Sequence, residues 1–208
     1  NKITGCVLGV IGAGDFARSV LLPQLKKMSE VILHTVATQS GASADRTRDT
    51  FGFLHATTDI NTILENPDIN SVMIATRHDS HADFCTRALK AGKFVLVEKP
   101  LALSRDEINR VIDARLKSTG FFQVGFNRRY APLSQMIRSH LAHHRGTKFI
   151  LLRINAGHIP SENWVHAAYK GGGRILGEVC HFVDLARHLV DSPILSVQAD
   201  AAKISGGG

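Results

Sequence analysis

Five short runs in the first 126 residues are apolar almost throughout: CVLGVI from Cys6, VILHTVAT from Val31, SVMIAT from Ser71, KFVLVE from Lys93 and FFQVGF from Phe121. A strand without a polar face has to be covered on both sides, which is the situation of a parallel sheet between two layers of helices. The segments between the runs suit that role. DFARSVLLPQLKKM carries Phe16, Val20, Leu21, Leu25 and Met28 at helical spacing, and SADRTRDTFG reads as a polar helix ending at Gly52. SHADFCTRALKAG has Ser80 as N-cap and Gly92 as terminator, and SRDEINRVIDARLKS opens with a Ser104-to-Glu107 capping box. Strands separated by helices connect through right-handed crossovers, so the chain is predicted to form an α/β fold with a doubly wound parallel sheet.

After GFNRRYAP the texture changes. A helix around LSQMIRSHLAHH precedes KFILLRINAG (148–157), which reads as a long strand. A polar loop containing Trp164 follows, then the helix GEVCHFVDLARHLV (177–190) and a further strand, ILSVQADAAK (194–203). This is the start of an α+β domain, and two strands are too few for a sheet that stands alone. The expected division is therefore a domain over 1–126 and a partial one over 127–208. The first residue is Asn and the last run is ISGGG, so a piece of a longer protein is expected.

The first strand runs into Gly12-Ala13-Gly14-Asp15-Phe16-Ala17, which fits G-x-G-x-x-A at the start of the first helix. Gly12 allows the tight turn, Gly14 lets backbone approach a pyrophosphate, and Ala17 lets helix and strand pack closely. Asp15 and Phe16 begin the helix, whose free N–H groups and dipole favour phosphate. Such a turn alone also ends many strands. Strand before, helix after and a second strand ending roughly twenty residues on make it a Rossmann dinucleotide site, with NAD or NADP as the cofactor. The second strand ends in Ala37-Thr38-Gln39-Ser40-Gly41, with no acid for a ribose hydroxyl. That tilts the reading to NADP, whose extra phosphate Thr38, Ser40 or Arg46 would contact; a neutral loop that accepts both cofactors is the alternative.

The formal net charge is +7, but the basic residues are scattered, with no long block and no aromatic-interleaved stripe, which argues against a nucleic-acid partner. Cys6, Cys85 and Cys180 show no paired spacing, as in a reducing cytoplasm. No apolar run has the length of a membrane span. His140, His143 and His144 lack a Cys, Asp or Glu beside them and read as a solvated helix end, so no metal is expected.

The run KFVLVE ends on Glu98, Lys99 and Pro100. Either the strand merely surfaces there, or Lys99 stands at the carboxyl end of a parallel strand, where open α/β sheets place their chemistry. With these pieces assembled, the chain resembles the glucose–fructose oxidoreductase / inositol dehydrogenase (Gfo/Idh/MocA) family. The resemblance rests on VIGAGDFARSVLLPQL, on INSVMIATRHDSHADFCTRALKAGKFVLVEKPLALS, on VGFNRRYAP and on GGGRILGEVCHFVDLARHL, in that order. It implies a Rossmann domain followed by a domain with a mainly antiparallel sheet, often the oligomer interface. The wording of the second half is similar to members fused behind another dehydrogenase domain.

The resemblance also implies roles. Lys99 matches the lysine that contacts the substrate hydroxyl near the nicotinamide, and an ammonium there stabilises a developing alkoxide. Glu98 serves the cofactor or orients its neighbour. His181 matches the helix histidine that takes the hydroxyl proton, against a packed core histidine as the plain alternative. Many members carry Asp four residues before that histidine; here that position is Gly177, and Glu178, three residues before, is expected to share its helix face. Asp184 is open between helix surface and substrate contact. Thr76 and His81 match positions lining the nicotinamide side, although Arg77 and His78 replace the more usual Pro and Asn. Asn127 and Arg128 match the bridge and reach cofactor or substrate. Trp164, His166 and Tyr169 either wall a sugar-like substrate or belong to an ordinary packed loop.

The expected function is hydride transfer between NAD or NADP and a secondary alcohol of a small polyhydroxylated substrate: a sugar, cyclitol or nucleotide sugar. The expected enzyme is cytoplasmic and homo-oligomeric when whole. Glycoside cleavage through transient oxidation is a related enzymatic reading. A non-catalytic sensing or regulatory protein of the same fold is the rival from another class.

Overall fold

A computed structural model describes residues 5–201 of the chain. Six strands form one parallel sheet: β1 (Cys6–Ile11), β2 (Val31–Ala37), β3 (His55–Thr57), β4 (Ser71–Ile74), β5 (Phe94–Val97) and β6 (Phe122–Val124), in the order β3-β2-β1-β4-β5-β6. The chain winds outward from β1 in one direction, returns to β4 beside β1 and then winds the other way. This reversal opens a crevice at the carboxyl ends of β1 and β4. Pairing brings Ile11 level with both Ala37 and Ile74, and Ile74 level with Val97.

Helical turns cover residues 15–25, with a π-type stretch over Ala17–Leu21 and α1 (Leu22–Leu25) after it. Pro23 accounts for the irregularity, since it has no N–H for the carbonyl four residues back and its ring displaces that carbonyl. The remaining helices of this part are α2 (Gly41–Phe51), α3 (Asn61–Leu64), α4 (His78–Lys90) and α5 (Arg105–Leu116). Two apolar clusters sit between helices and sheet: Ile11, Ile63, Ile74, Leu89, Val97 and Val111 belong to one, and Val10, Leu22, Val36 and Met73 to the other. Each fully buried Val, Leu or Ile contributes about 1.5–3 kcal/mol. Lys93, buried at the entrance to β5, donates from Nζ to the carbonyls of Asn66 at 2.6 Å and Ile69 at 2.7 Å, so its charge is not left unsolvated.

The chain divides into two compact units, Asn1–Phe126 with Ala156–Cys180, and Asn127–Asn155 with His181–Gly208. The first holds the sheet and also the Gly-rich segment around Gly171–Gly173. The second contains a 3₁₀ turn (Asn127–Tyr130), α6 (Pro132–Ala142) and the body of α7 (Cys180–Val190).

Several expectations need correction. Neither 148–157 nor 194–201 is a strand, and 202–203 lie outside the described residues. A strand exists only through a neighbour's ladder, and apolar alternation supplies no neighbour. Strand β3, three residues with little apolar character, was not foreseen. Ser80 is not the N-cap of α4: the cap is Arg77, and Ser80 Oγ donates back to the Arg77 carbonyl at 2.9 Å from inside the first turn. Strand β5 is not covered on both faces; Val95 and Val97 are buried, but Phe94 is 54% and Leu96 38% exposed.

The foreseen cap at α5 is present, with Ser104 Oγ accepting from the Glu107 N–H at 3.2 Å and Glu107 Oε2 accepting from the Ser104 N–H at 3.2 Å. Ser104→Ala should cost about 1 kcal/mol of stability, read as a lower urea midpoint at unchanged slope.

Candidate active site

The ladders run one residue past the strands and so fix the loops that follow. Gly12 N–H donates to Ala37 O at 2.9 Å, Ala75 N–H to Ile11 O at 2.9 Å, Glu98 N–H to Ile74 O at 2.9 Å and Gly125 N–H to Val97 O at 2.7 Å. The Gly12 turn, the Ala75–Thr76 loop, the Glu98–Pro100 segment and Gly125 thereby gather at one end of the sheet.

The two turn glycines are constrained differently. Gly12 has φ of +89°, and a Cβ there would lie 2.6 Å from Ala75 O and 2.7 Å from Thr76 Cγ2. The protein itself forbids a side chain at that position. A Cβ on Gly14 would meet nothing within 4 Å, so Gly14 keeps open a cradle over the first helical amides. Backbone donors beneath a space that any side chain would fill suit a pyrophosphate. Ala17 is buried against the sheet, Phe16 is largely exposed, and the exposed Asp15 pairs with Arg18 at 2.9 Å. At the end of β2, Thr38 Oγ1 donates to Ser40 O at 2.8 Å, and Ser40 Oγ caps α2 by accepting from the Ser43 N–H at 3.4 Å. Both hydroxyls thus have local duties, and the stretch from Ala37 to Gly41 carries no acidic residue.

At the end of β5, the Lys99–Pro100 peptide is cis. Lys99 Nζ donates to the carbonyl of Gly177 at 2.7 Å, which brings the lysine to the segment that follows the Gly-rich turn. Glu98 accepts from the Lys99 N–H through Oε2 at 3.3 Å, and a Cβ on Gly125 would come within 2.8 Å of its Oε1. Burial pushes the Glu98 carboxyl above its ordinary range, opposed by the Lys99 amide and charge. Thr76 Oγ1 shares a hydrogen bond with Ser80 Oγ at 2.7 Å.

His81 is 1% exposed, with Nδ1 2.7 Å from Pro100 O and Nε2 3.1 Å from Thr76 O. Its ring therefore bridges the loop after β4 and the segment after β5 through two backbone carbonyls, and it lies tilted against the His78 ring, centroids 5.8 Å apart. Burial lowers its pKa, the two carbonyls acting against that.

His78 and Arg77, noted in the sequence only as replacements for Pro and Asn, and Arg174, not singled out there, all make specific contacts. His78 opens α4 and reaches the carbonyl of Gly171 with Nδ1 at 2.8 Å; its ring lies edge-on to Trp164, centroids 4.9 Å apart. Arg77 stacks over the same Trp164 at 5.6 Å. Arg174 takes the Glu178 carboxylate, its Nη2 and Nε lying 2.7 and 2.9 Å from Oε2. Glu178 lies in a π-type turn, Ile175–Val179, where a guanidinium fork holds its charge. The only signal in the sequence was the i, i+4 spacing of Arg174 and Glu178.

In the second unit, His181 lies in the first turn of α7. Arg128 stacks over Phe182 at 4.6 Å, and Arg129 makes a two-armed ion pair with Asp184, one arm being Nε to Oδ2 at 2.6 Å. Asp184 is thus neither a bare surface charge nor an open contact. Back in the first unit, Tyr169 is exposed, and His166 Nε2 lies 3.3 Å from Ile159 O.

A raised carboxyl pKa contributes stability below the unfolded value that is lost as pH rises through the folded one. Glu98→Gln should therefore gain melting temperature over the natural chain as pH rises from about 4, the gap widening until the folded pKa is passed. Thermal melts across that range check this, and parallel curves would contradict it.

Residues 7–126 match the model of an oxidoreductase family with an NAD-binding Rossmann fold. The myo-inositol 2-dehydrogenase of Thermotoga maritima is 25% identical over 195 residues, which cover 94% of this chain and 58% of that protein. A solved levoglucosan dehydrogenase, in complex with NADH and levoglucosan, aligns with TM-score 0.77 at 25% identity, over 89% of this chain and 54% of that one. A 3-ketoreductase from Actinomadura kijaniata, in complex with TDP-benzene and NADP, aligns with TM-score 0.61 at 27% identity, over 66% of this chain and 43% of that one. The chain spans less than two thirds of the length of each of these relatives. From the glycine turn through the end of β6, the match establishes that the chain belongs to the Gfo/Idh/MocA family of NAD(P)-binding oxidoreductases.

Proposed function

We propose that the protein transfers hydride between a nicotinamide dinucleotide and a secondary alcohol carbon of a polyhydroxylated small molecule. The observation that carries this reading is Lys99: a strand-end ammonium at the sheet end where Gly14 leaves its open cradle. The nicotinamide supplies the hydride acceptor and donor when bound. Gly12 sets the turn, Gly14 leaves room for the pyrophosphate, and the helical amides from Asp15 and Phe16 onward meet its charge. Lys99 donates to the reacting oxygen and stabilises it as charge develops. His181 takes the hydroxyl proton, a role that comes from the family resemblance. Thr76 lines the nicotinamide side; His81 supports it from below; Glu98 orients Lys99 through its own amide. Arg128 reaches toward cofactor or substrate, and Glu178 acts on the substrate side by fixing Arg174.

NADP is the preferred cofactor on this reading, because the end of β2 presents hydroxyls and no carboxylate to repel a phosphate. The relatives act on a cyclitol, an anhydrosugar and, with a TDP analogue bound, a keto group, by their names. A sugar or cyclitol substrate follows by analogy. The division into a dinucleotide domain over 1–126 and a substrate domain from 127, homo-oligomer formation and a cytoplasmic site of action belong to the same proposal. No helix among the described residues is long and apolar enough to cross a membrane.

Fluorescence titration with NADPH and NADH tests the base of this reading: the folded chain should bind both, NADPH more tightly. Gly14→Ala should fold with unchanged stability yet lose about tenfold or more in NADPH affinity, since nothing but a ligand meets the new Cβ. Lys99→Met should keep NADPH affinity within a few-fold and lose about a hundredfold or more in turnover. A Lys99→Met protein with full turnover would remove the lysine from the mechanism.

A further inference from the structure

Two side chains of different electrostatic character converge on Gly177. Lys99 Nζ bonds its carbonyl at 2.7 Å. From the other direction of approach, the space a Cβ would fill on this residue is taken by His78, whose Cε1 would lie 3.1 Å and Nδ1 3.6 Å from it. The missing side chain at 177 is what admits the imidazole beside the lysine.

The His78 ring is held by a hydrogen bond to Gly171 O and by ring contacts with Trp164 and, at 5.8 Å between centroids, His81. Gly171 O can only accept, so Nδ1, 2.8 Å away, must carry the proton, and in the neutral ring Nε2 is then the bare acceptor. The edge contact with Trp164 fixes the ring plane. Among the described residues, no hydrogen bond takes Nε2, and it is not among the buried polar atoms left without a partner, so it is open to solvent.

We infer that His78 is a specificity-determining residue: its Nε2 accepts a hydrogen bond from a substrate hydroxyl adjacent to the one that Lys99 engages, so that the site selects vicinal diols. The inference rests on the hydride-transfer reading and deepens it. A bare acceptor next to a donor matches two neighbouring hydroxyls, one accepting from Lys99 and one donating to His78. A substrate with a single hydroxyl would bury Nε2 without a donor, and sites built to bond a hydroxyl reject the analogue lacking it. Direct acid–base work is the less suitable role. Burial lowers the His78 pKa, the Gly171 carbonyl opposing and the Lys99 charge acting in the same direction, so the ring accepts a proton less readily than an ordinary histidine.

The test compares a vicinal cyclohexanediol with cyclohexanol as substrates of the full chain with NADP. The natural chain should prefer the diol in kcat/KM by about tenfold to a hundredfold. His78→Asn keeps a short amide near Gly171 O but loses the reach of Nε2, and the preference should fall to about threefold or less. His78→Gln places an amide oxygen near the Nε2 position and should restore much of it. NADPH affinity should be unchanged in both variants. A His78→Asn protein with the natural preference overturns the inference.

Turnover is not the only readout. Long-range proton–nitrogen NMR of histidine-labelled protein should show His78 protonated on Nδ1, with Nε2 shifting when the diol, and not cyclohexanol, is added to the NADP-loaded chain. The opposite tautomer, or an Nε2 that ignores the diol, overturns the assignment. Failure to oxidise either alcohol by a chain that binds NADPH counts against the hydride-transfer reading, and the NMR result then decides His78 separately.

Discussion

Four backbone hydrogen bonds tie the last carbonyl of one strand to the first amide beyond its neighbour: Ala37 to Gly12, Ile11 to Ala75, Ile74 to Glu98 and Val97 to Gly125. Everything chemical in the first unit hangs from them. Because the strands are parallel, their ends lie level, and because the chain reverses direction between β3 and β4, the loops at β1 and β4 part. The turn for the dinucleotide and the segment bearing Lys99 come from separate strands, yet these backbone bonds hold them at a common height. A slip of one residue in the β4–β5 register would turn Val95 and Val97 out of the core, so the position of the lysine is secured by apolar packing well away from it.

Electrostatics follow from the same burial. Around Lys99, each neighbour whose proton equilibrium departs from its ordinary value is moved toward neutrality: Glu98 upward, His78 and His81 downward, desolvation leading in each case. An ammonium among groups inclined to be neutral keeps its field for whatever enters. At the other end of β5, Lys93 has its charge absorbed by two carbonyls. One strand thus begins with a lysine used up structurally and ends with one still able to donate further.

Legibility varied with the range of the interaction. The strands with strong apolar runs, the glycine turn and the Ser104–Glu107 cap were readable because each is encoded within a few adjacent residues. Strand β3 was not: His55, Ala56 and Thr57 are strand only because β2 offers them a ladder. The runs 148–157 and 194–201 failed in the opposite sense, with strand-like apolar residues present and no ladder. At the site, the motif located Lys99, but Gly177 as its acceptor and Gly171 as the partner of His78 are 78 and 93 residues distant in sequence, beyond any local pattern. The pairing of Arg174 with Glu178, four residues apart, was within range of local sequence.

Gly125 has a bearing on how this sequence can change with descent. Its missing side chain is the room in which the Glu98 carboxyl sits. The two positions follow directly on neighbouring strands, so neither can drift alone: a larger residue at 125 is tolerable only once the acid at 98 has become shorter or has gone, and an acid at 98 obliges glycine across from it. Among descendants of a common ancestor these two columns should therefore change together, and the end of β6, which carries no chemistry of its own, is bound to the history of the residue beside Lys99.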